Sequence, residues 1–396
     1  MESIKDRVAI IGMGCTQFGG LRDKSHEDLI VEAAYEAFED AAIDPKDIQM
    51  AWVGTVISGE MGLSLSRPLK LNYIPVTRVE NLCITGSEAL RAASYAVAAG
   101  VCDMALALGF EKMRDRNIRG PEEVVVTPMA VKEYMLPPGN FSFIANRYFH
   151  HYGLSYEEGK RMLAKIAVKN HHNGNMAPKA EFHREVTIEE VVNAPIIAFP
   201  LGVYDACTSA DGAAAAIVTR ADMARNFRQD PIYIKSLTMC AGPREGRIRT
   251  DYDYLHFEET VQAAKRAYRE VGITDPLKEI SIAEVHDCFT ITEAVTYEDL
   301  GWCPKGKAKE YIDGGVFNLD GELPVNTDGG LKCFGHPLGA TGLRMMYELY
   351  KQFQGKAGPR QVKNLELGMA HNLGGGPGTA VVSICIVGNE RVPRMY

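Results

Sequence analysis

The fold is decided by the stretch Asn81-Leu82-Cys83-Ile84-Thr85-Gly86-Ser87, which runs directly into an Ala-rich segment ending at Gly100. Charge is sparse in residues 88–100, so the pattern predicts a helix that is buried on most of its sides. Cys83 stands where this helix should begin, where unpaired backbone N–H groups and the helix dipole favour a thiolate. The alternative is a small core residue, since Cys is often simply buried.

Composition places the chain among ordinary globular proteins. Its 396 residues, 46% hydrophobic and 24% charged, suffice for two or three domains. A net charge of −8 without a basic stripe argues against nucleic-acid binding. No apolar run has the length of a membrane span, and the charged start lacks the features of a targeting peptide, so we expect a cytoplasmic protein. Nine cysteines without a CxxC pair indicate reduced thiols and argue against a metal site in the chain.

Short β-branched runs alternate with amphipathic or Ala-rich segments, which predicts an α/β layered protein. We expect strands at residues 8–12, 50–57, 103–109, 210–218, 231–238, 281–285, 365–369 and 379–387. We expect helices at residues 27–42, 88–100, 143–152, 157–170, 256–270 and 335–353. The early Gly12-Met13-Gly14 has Gln17 at the third glycine position, so we reject a dinucleotide-binding turn.

The two halves of the chain repeat each other in outline. Cys83 in the first half and His336 in the second each stand at a helix start, and each helix is followed by a short strand. This predicts an internal duplication whose two helices meet back to back. The halves are residues 1–225 and 230–396, with a lid rich in Gly, Pro and His inserted at about residues 112–200.

Four segments carry residues suited to chemistry. They are the Cys83 turn, His286-Asp287-Cys288-Phe289, Gly335-His336-Pro337-Leu338-Gly339 and the glycine turn Asn372-Leu373-Gly374-Gly375-Gly376. Two thiols, two imidazoles and free backbone N–H groups are what reversible carbon–carbon bond formation between thioesters requires. The simpler alternatives are a turn histidine, core cysteines and a tight turn.

With these motifs the sequence resembles the thiolase superfamily, in its sterol-carrier-protein-type and archaeal-type branch. The motifs are the four segments just quoted, with the third extending through Ala340-Thr341-Gly342, and the resemblance covers essentially the whole chain. It implies a thiolase fold, a duplicated five-layered α-β-α-β-α core with an inserted loop domain. It also implies an acyl-CoA C-acyltransferase, similar to acetyl-CoA C-acetyltransferase, that uses coenzyme A as substrate and has no tightly bound cofactor.

The resemblance implies a role for each motif residue. Cys83 is the nucleophile that becomes acylated, His336 accepts its proton, and Cys288 is the second catalytic thiol. His286 joins His336 in an oxyanion hole for the enolate. The backbone N–H groups of Cys83 and Gly374 form a second hole for the acyl-enzyme carbonyl.

The chain departs from the bacterial biosynthetic and degradative thiolases at two motifs. Those enzymes carry Asn-Glu-Ala-Phe in place of His286-Asp287-Cys288-Phe289, and they carry their second cysteine at the position of Asn372. In this chain the second cysteine stands at position 288 instead of position 372, which supports the branch assignment. Asn372 and His371 are therefore candidate supporting residues without an assigned role.

The branch also suggests partners and substrates. Its members form homodimers or dimers of dimers and often work with a small zinc-bearing OB-fold subunit of the DUF35 type. In archaea that subunit links thiolase to hydroxymethylglutaryl-CoA synthase, and a similar pair cleaves benzoylsuccinyl-CoA in anaerobic toluene degradation. The chain resembles the latter subunit too, and the aromatic segment at residues 136–144 suits a bulky acyl group. Candidate cations for the CoA phosphates lie in the lid: Lys112, Arg114, Arg116, Arg119, Lys165, Lys169 and Lys179.

Two other functions are compatible with parts of the pattern. A condensing enzyme of the ketoacyl synthase class would share the fold and the Cys–His pair, but it does not need a second acid/base thiol such as Cys288. A non-catalytic acyl-CoA or lipid-binding protein would leave unexplained why Cys83, Cys288 and His336 occur together.

Overall fold

The computed structural model describes residues 3–116, 137–244, 246 and 251–391. Arg119 and Leu136 of the predicted lid lie outside these ranges. The strands are β1 (Val8–Cys15), β2 (Met50–Gly54), β3 (Val76–Val79), β4 (Met104–Glu111), β5 (Ile196–Ala198), β6 (Leu201–Gly202), β7 (Gly212–Arg220), β8 (Ile232–Ala241), β9 (Ile282–Val285), β10 (Leu367–Gly374) and β11 (Val381–Gly388).

Helices fill the connections between these strands. They are α1 (His26–Ala41), α2 (Leu63–Leu69), α3 (Thr85–Ala98), α4 (Pro137–His151), α5 (Tyr156–Asn175), α6 (Ile188–Val192), α7 (Glu258–Val271), α8 (Pro276–Glu279), α9 (Thr290–Asp299), α10 (Ala308–Asp313), α11 (Gly330–Phe334) and α12 (Thr341–Phe353). Within the described ranges, no helix is both long and apolar enough to cross a membrane.

The sheet confirms the predicted duplication. In the described part of the chain, nine strands are hydrogen-bonded in the order β3-β2-β4-β7-β1-β8-β11-β10-β9. The series β1-β7-β4-β2 and β8-β11-β10-β9 have the same pairings, antiparallel, antiparallel and then parallel. The two halves meet where β1 pairs with β8 through Ala9↔Tyr233 and Ile10↔Ile232.

Helices on both faces of the two half-sheets give the five layers. On the outer sides α1 packs on β1 and β7, and α7 packs on β8 and β11. Between the half-sheets α3 and α12 contact each other and strands of both halves. A Cβ on Gly342 would lie 2.6 Å from the backbone nitrogen of Ser87, so glycine permits this close crossing. The two predicted back-to-back helices are therefore the central layer.

The glycines of β1 have a packing role. A Cβ on Gly12 would lie 2.3 Å from the carbonyl oxygen of Ala37, and one on Gly14 would lie 2.0 Å from that of Ala33. Both carbonyls belong to α1, so the two glycines let this helix lie directly on the strand. Both glycines lie inside the strand rather than in a turn.

The lid is more helical than its sequence suggests. The predicted helices at residues 143–152 and 157–170 extend to Pro137–His151 and Tyr156–Asn175, and β5 and β6 form a small hairpin behind them. Helix α5 packs against α9, α10 and α11 of the second half. It buries Lys160 and Lys169, each paired with a buried carboxylate, Asp205 and Glu293 respectively. The Lys169–Glu293 pair thus links the lid to the second half, whereas the Lys160–Asp205 pair lies within the first half.

Candidate active site

The nucleophile loop and two later turns bring their special side chains together. The sulfur of Cys83 and one ring nitrogen each of His286 and His336 all lie within 4.8 Å of one another. The two imidazole rings stand edge to face, with centroids 5.3 Å apart. Both histidines are buried, and Cys83 is half-buried. Residues from three separate segments of the chain therefore form one cluster at the central helix layer.

Cys83 lies in a tight turn just before α3. Leu82 has a left-handed backbone, with φ of 49°, and Thr85 closes the turn by donating its hydroxyl to the carbonyl of Leu82 at 2.6 Å. Burial raises the pKa of the Cys83 thiol to about 12, while the N–H groups of Gly375 and of Cys83 itself act in the opposite direction. The sequence favoured a thiolate at this helix start. In the structure burial outweighs the helix terminus, so the thiol needs a base.

His336 is arranged to be that base. The hydroxyl of Thr341 donates to the carbonyl of Pro337 at 3.0 Å, which uses its single proton. The same oxygen lies 2.7 Å from Nδ1 of His336, and a hydroxyl that donates to Pro337 accepts its second hydrogen bond from a protonated Nδ1. Nε2 of His336 is then a lone-pair nitrogen, buried and without a hydrogen-bond partner among the described residues. Burial lowers the pKa of His336 well below its usual value, which keeps the ring neutral.

His286 is held in the same tautomer by Asn372. The amide nitrogen of Asn372 donates to the carbonyl of Cys83 at 3.0 Å, which fixes the orientation of the amide. Its Oδ1 therefore accepts the Nδ1–H of His286 at 2.9 Å. Burial lowers the pKa of His286 to about 3, so the neutral ring keeps a lone pair on Nε2. Donation from Nε2 to an oxyanion requires that His286 first take a second proton.

Cys288 lies beside this cluster, and another cysteine, Cys207, lies next to it. The sulfur of Cys288 is 3.7 Å from the hydroxyl of Thr292, and burial raises its pKa well above the usual value, with the nearby Cys83 adding to the effect. The N–H of Cys207 donates to the carbonyl of Cys288 at 2.8 Å, next to the bridge between Ala206 and Phe289. Cys288 is thus a protonated thiol suited to act as an acid.

The glycine turn lies against the nucleophile. A Cβ on Gly374 would lie 3.2 Å from the backbone nitrogen of Cys83 and 3.0 Å from the carbonyl oxygen of Asn81. Gly375 follows with φ of 89° and directs its N–H at the Cys83 sulfur. The backbone of Gly374 and that of Cys83 are therefore adjacent, as the predicted oxyanion hole requires, and Gly375 is an additional donor in the same turn.

One predicted supporting residue and one further cysteine lie elsewhere. His371, on the opposite face of β10 from Asn372, has its Nε2 3.0 Å from the hydroxyl of Thr260 in α7. Cys333 is buried and contacts the carbonyl of Phe182 at 3.1 Å, which agrees with a packing role. Neither residue joins the group of Cys83, His286 and His336.

The lid cations proposed for the CoA phosphates are already paired within the chain. The five whose side chains are described each have a carboxylate partner: Lys112 with Asp211, Arg114 with Glu181, Lys165 with Asp313, Lys169 with Glu293 and Lys179 with Glu36. Lys112 and Lys169 are also buried. These groups hold the lid onto the core, so the structure does not support them as phosphate ligands.

An apolar wall surrounds the nucleophile. Cys83 packs with Met113, Leu338, Val56 and Ile57 in a small separate cluster. Within the aromatic lid segment, Phe141 is buried and stacks on Phe289 beside Cys288, with ring centroids 4.7 Å apart, whereas Phe143 is 47% exposed on the surface. An acyl group on Cys83 would therefore meet aliphatic and sulfur-containing side chains first.

Several supporting residues were missed from the sequence. Thr341 and Cys207 gave no signal beyond their residue type. Asp287 accepts the N–H of Leu331 at 2.6 Å and that of Lys332 at 3.2 Å, so it ties its motif to the helix that leads into His336. Its place between His286 and Cys288 was the available clue.

Both domains of one family match the chain. The description "Thiolase, N-terminal domain" matches residues 8–222, and "Thiolase C-terminal domain-like" matches residues 244–386. The acetyl-CoA acetyltransferase of Methanothermobacter thermautotrophicus is 38% identical over 387 residues, which cover 95% of this chain and 98% of that protein. Sterol carrier protein 2 of Bos taurus is 32% identical over 417 residues, which cover 99% of this chain and 74% of that protein.

Solved structures agree on the fold. A structure described as "Ltp2-ChsH2(DUF35) aldolase" is similar with a TM-score of 0.85 at 22% identity, covering 99% of this chain and 100% of that one. The Acat5 thiolase from Ascaris suum in complex with coenzyme A has a TM-score of 0.70 at 18% identity, covering 97% and 100%. Identities this low show the fold alone. The two domain matches and the 38% identical relative establish that the chain belongs to the thiolase family and is an acyltransferase enzyme.

Proposed function

We propose that the chain cleaves a 3-oxoacyl-CoA with coenzyme A, through an acyl-enzyme on Cys83. The observation that carries this proposal is the cluster of one thiol and two neutral imidazoles within 4.8 Å, with a second thiol beside it. Ping-pong acyl transfer needs a nucleophile, a base close to it and an acid for the carbanion. These three roles fall to Cys83, His336 and Cys288.

The reaction begins when Nε2 of His336 takes the thiol proton and the Cys83 sulfur attacks the 3-keto carbon. The bond between Cα and Cβ breaks, the acyl group stays on Cys83, and the leaving enolate takes the proton of the Cys288 thiol. Incoming coenzyme A gives its thiol proton to the Cys288 thiolate and attacks the acyl-enzyme, which releases the shortened acyl-CoA. The Cys83 thiolate that leaves takes back the proton held by His336, so both thiols and the imidazole return to their starting states. Synthesis is the reverse of these steps.

Two oxyanions need hydrogen-bond donors during these steps. The N–H groups of Cys83 and Gly374 donate hydrogen bonds to the oxygen of the carbon that is bound to the Cys83 sulfur. The enolate oxygen is served by His336, which becomes a donor at Nε2 once it has taken the Cys83 proton. His286 contributes a donor only when it carries a second proton, because Asn372 holds its Nδ1–H.

We propose two substrates for comparison. The name of the archaeal relatives, acetyl-CoA acetyltransferase, favours acetoacetyl-CoA as the substrate of this chain. The chain would make acetoacetyl-CoA in a complex with hydroxymethylglutaryl-CoA synthase, or cleave it as the isolated enzyme. The resemblance to the subunit of the aromatic pathway favours a bulky acyl group such as that of benzoylsuccinyl-CoA. The Ltp2-ChsH2(DUF35) title supports a small DUF35-type subunit as partner in either case. We further propose a homo-oligomer in the cytoplasm.

A thiolysis assay tests the proposal. It follows the loss of acetoacetyl-CoA on adding coenzyme A, with benzoylsuccinyl-CoA in parallel, each with and without a co-purified small subunit. Cleavage of acetoacetyl-CoA by the chain alone indicates a short-chain thiolase. Activity restricted to the bulky substrate, or to the complex, indicates a dedicated degradative heteromer. If neither substrate is cleaved under any condition, thiolysis of these two substrates is excluded.

A further inference from the structure

The three donor atoms of the cluster are all suited to a soft divalent metal ion. Thiolate and imidazole are the ligands that Zn²⁺ prefers, and no carboxylate belongs to this group. The sulfur of Cys83 and the histidine nitrogens lie within 4.8 Å of one another. Ligands on tetrahedral zinc are separated by about 3.3–3.8 Å, given bond lengths of about 2.0–2.3 Å. The donors therefore need to approach one another by only about 1 Å.

The histidines are prepared for such a role by their outer partners. A metal-binding imidazole usually donates its other N–H to a fixed acceptor, which sets the tautomer and aims the lone pair. His286 has this arrangement through Asn372, and His336 has it through Thr341. In His336 the remaining nitrogen, Nε2, is buried and has no hydrogen-bond partner in the described part of the chain. This orphaned lone pair is the second, independent indication of a ligand.

We infer that Cys83, His286 and His336 bind one Zn²⁺ ion reversibly, and that the ion inhibits the enzyme by occupying its nucleophile. The thiol of Cys83 loses its proton to solvent when the sulfur binds, while both neutral imidazoles bind without losing one. Three protein ligands leave a fourth position of the metal open to water. Zinc binding at these three residues does not depend on the substrate of the enzyme, and only the inhibition rests on the proposed role of Cys83 as nucleophile.

Direct binding tests the inference without turnover. The protein is first treated with a chelator and freed of coenzyme A, because the thiol of coenzyme A also binds zinc. It then competes for zinc with a chromophoric indicator at pH 7.5. The expected result is saturable binding of one ion per chain with release of at least one proton, since water in the open fourth position of zinc is itself acidic near neutral pH. Millimolar Mg²⁺ should not compete. Absence of saturable binding, or saturable binding without proton release, overturns the inference.

Variants locate the site. Cys83→Ala and His336→Asn should each abolish the one-ion binding, and Asn372→Ala should weaken it about 10–100-fold through the loss of the outer partner. His172→Asn, on the surface, and Cys102→Ser, remote from the cluster, are matched controls that should bind as the parent does. Zinc should also slow iodoacetamide labelling of Cys83, and dipicolinate should restore it. Unchanged binding in Cys83→Ala places the ion elsewhere and contradicts the inference.

Discussion

Asn372 connects His286 to the nucleophile loop: its Oδ1 lies 2.9 Å from Nδ1 of the histidine, and its amide nitrogen donates to the carbonyl of Cys83 at 3.0 Å. The same nitrogen also reaches the hydroxyl of Ser87, in the first turn of α3, at 3.2 Å. One buried amide on β10 thus sets both the tautomer of the imidazole and the position of the turn that carries the thiol.

Replacing Asn372 should therefore affect turnover more than substrate binding. In Asn372→Ala, His286 loses its fixed tautomer and the carbonyl of Cys83 loses a donor, so kcat should fall about 10–100-fold with a smaller change in KM. Asn372→Asp keeps an acceptor for Nδ1–H but adds a charge, which raises the pKa of His286 and should shift the pH–rate profile. An equal loss of kcat in both variants with identical pH profiles would argue for a purely structural role.

Thr341 should be needed for its hydroxyl rather than for its shape. Thr341→Val removes the acceptor of His336 Nδ1–H and frees the ring to change tautomer, so kcat should fall about tenfold or more. Thr341→Ser keeps the hydroxyl and should retain most of the activity. Steady-state kinetics with matched thermal unfolding curves makes the comparison. Equal activity of the Val and Ser variants would contradict the assignment of Nε2 as the base.

Cys288 should be required for thiolysis but not for acylation of Cys83. In Cys288→Ala the enolate has no acid beside it, so thiolysis should fall at least about 100-fold. Transfer of an acetyl group from acetyl-CoA to Cys83 should persist at a reduced rate, because a coenzyme A thiolate leaves without an acid far more readily than a carbanion does. Cys207→Ala, which removes the neighbouring thiol, is the control and should lose less than about tenfold. Full carbon–carbon bond formation by Cys288→Ala would indicate a condensing enzyme of the ketoacyl synthase class.

Alkylation of Cys83 should depend on pH as an elevated pKa requires. A thiol with a pKa raised to about 12 is protonated at neutral pH, and its thiolate fraction rises tenfold with each pH unit below that value. The rate constant for iodoacetamide labelling of Cys83 should accordingly increase steadily between pH 6.5 and 9, measured by peptide mapping. A plateau beginning near pH 7 would show a preformed thiolate and refute this account.

The repeat, the two central helices and the residues of the cluster were predictable because each motif marks a helix start in a repeated pattern. The strand ends were harder to predict. A strand was expected at residues 50–57, but β2 stops at Gly54. The next residues turn so that the N–H of Val56 and the hydroxyl of Ser58 bond to the buried Glu111. The partner of that turn lies more than fifty residues away in sequence.

The end of β10 shows the same limit more sharply. The hydrophobic pattern predicted that this strand ends at Met369, because the polar residues His371 and Asn372 follow soon after it. In the structure β10 continues to Gly374, since both polar side chains find buried partners on α7 and on the Cys83 loop. Those partners come from distant segments, and only the folded chain shows that the extended strand positions Asn372 and Gly374.

The ion pairs of the lid cations could not be predicted, for a related reason. A run of lysines and arginines predicts either a solvated face or an anion site, and sequence alone does not show their carboxylate partners. Lys112 reaches Asp211, 99 positions further along the chain, at 2.8 Å. The lid charges stabilise the contact between lid and core.

The most direct test of the central claim is to identify the residue that carries the acyl group. The protein is incubated with acetoacetyl-CoA in the absence of coenzyme A, quenched in acid, digested and mapped by mass spectrometry. The account predicts one acetyl group on the peptide containing Cys83, removed on addition of coenzyme A and absent in Cys83→Ser. Product formation with the acyl group on Cys288 or Cys207, or with Cys83 unmodified throughout, would contradict it.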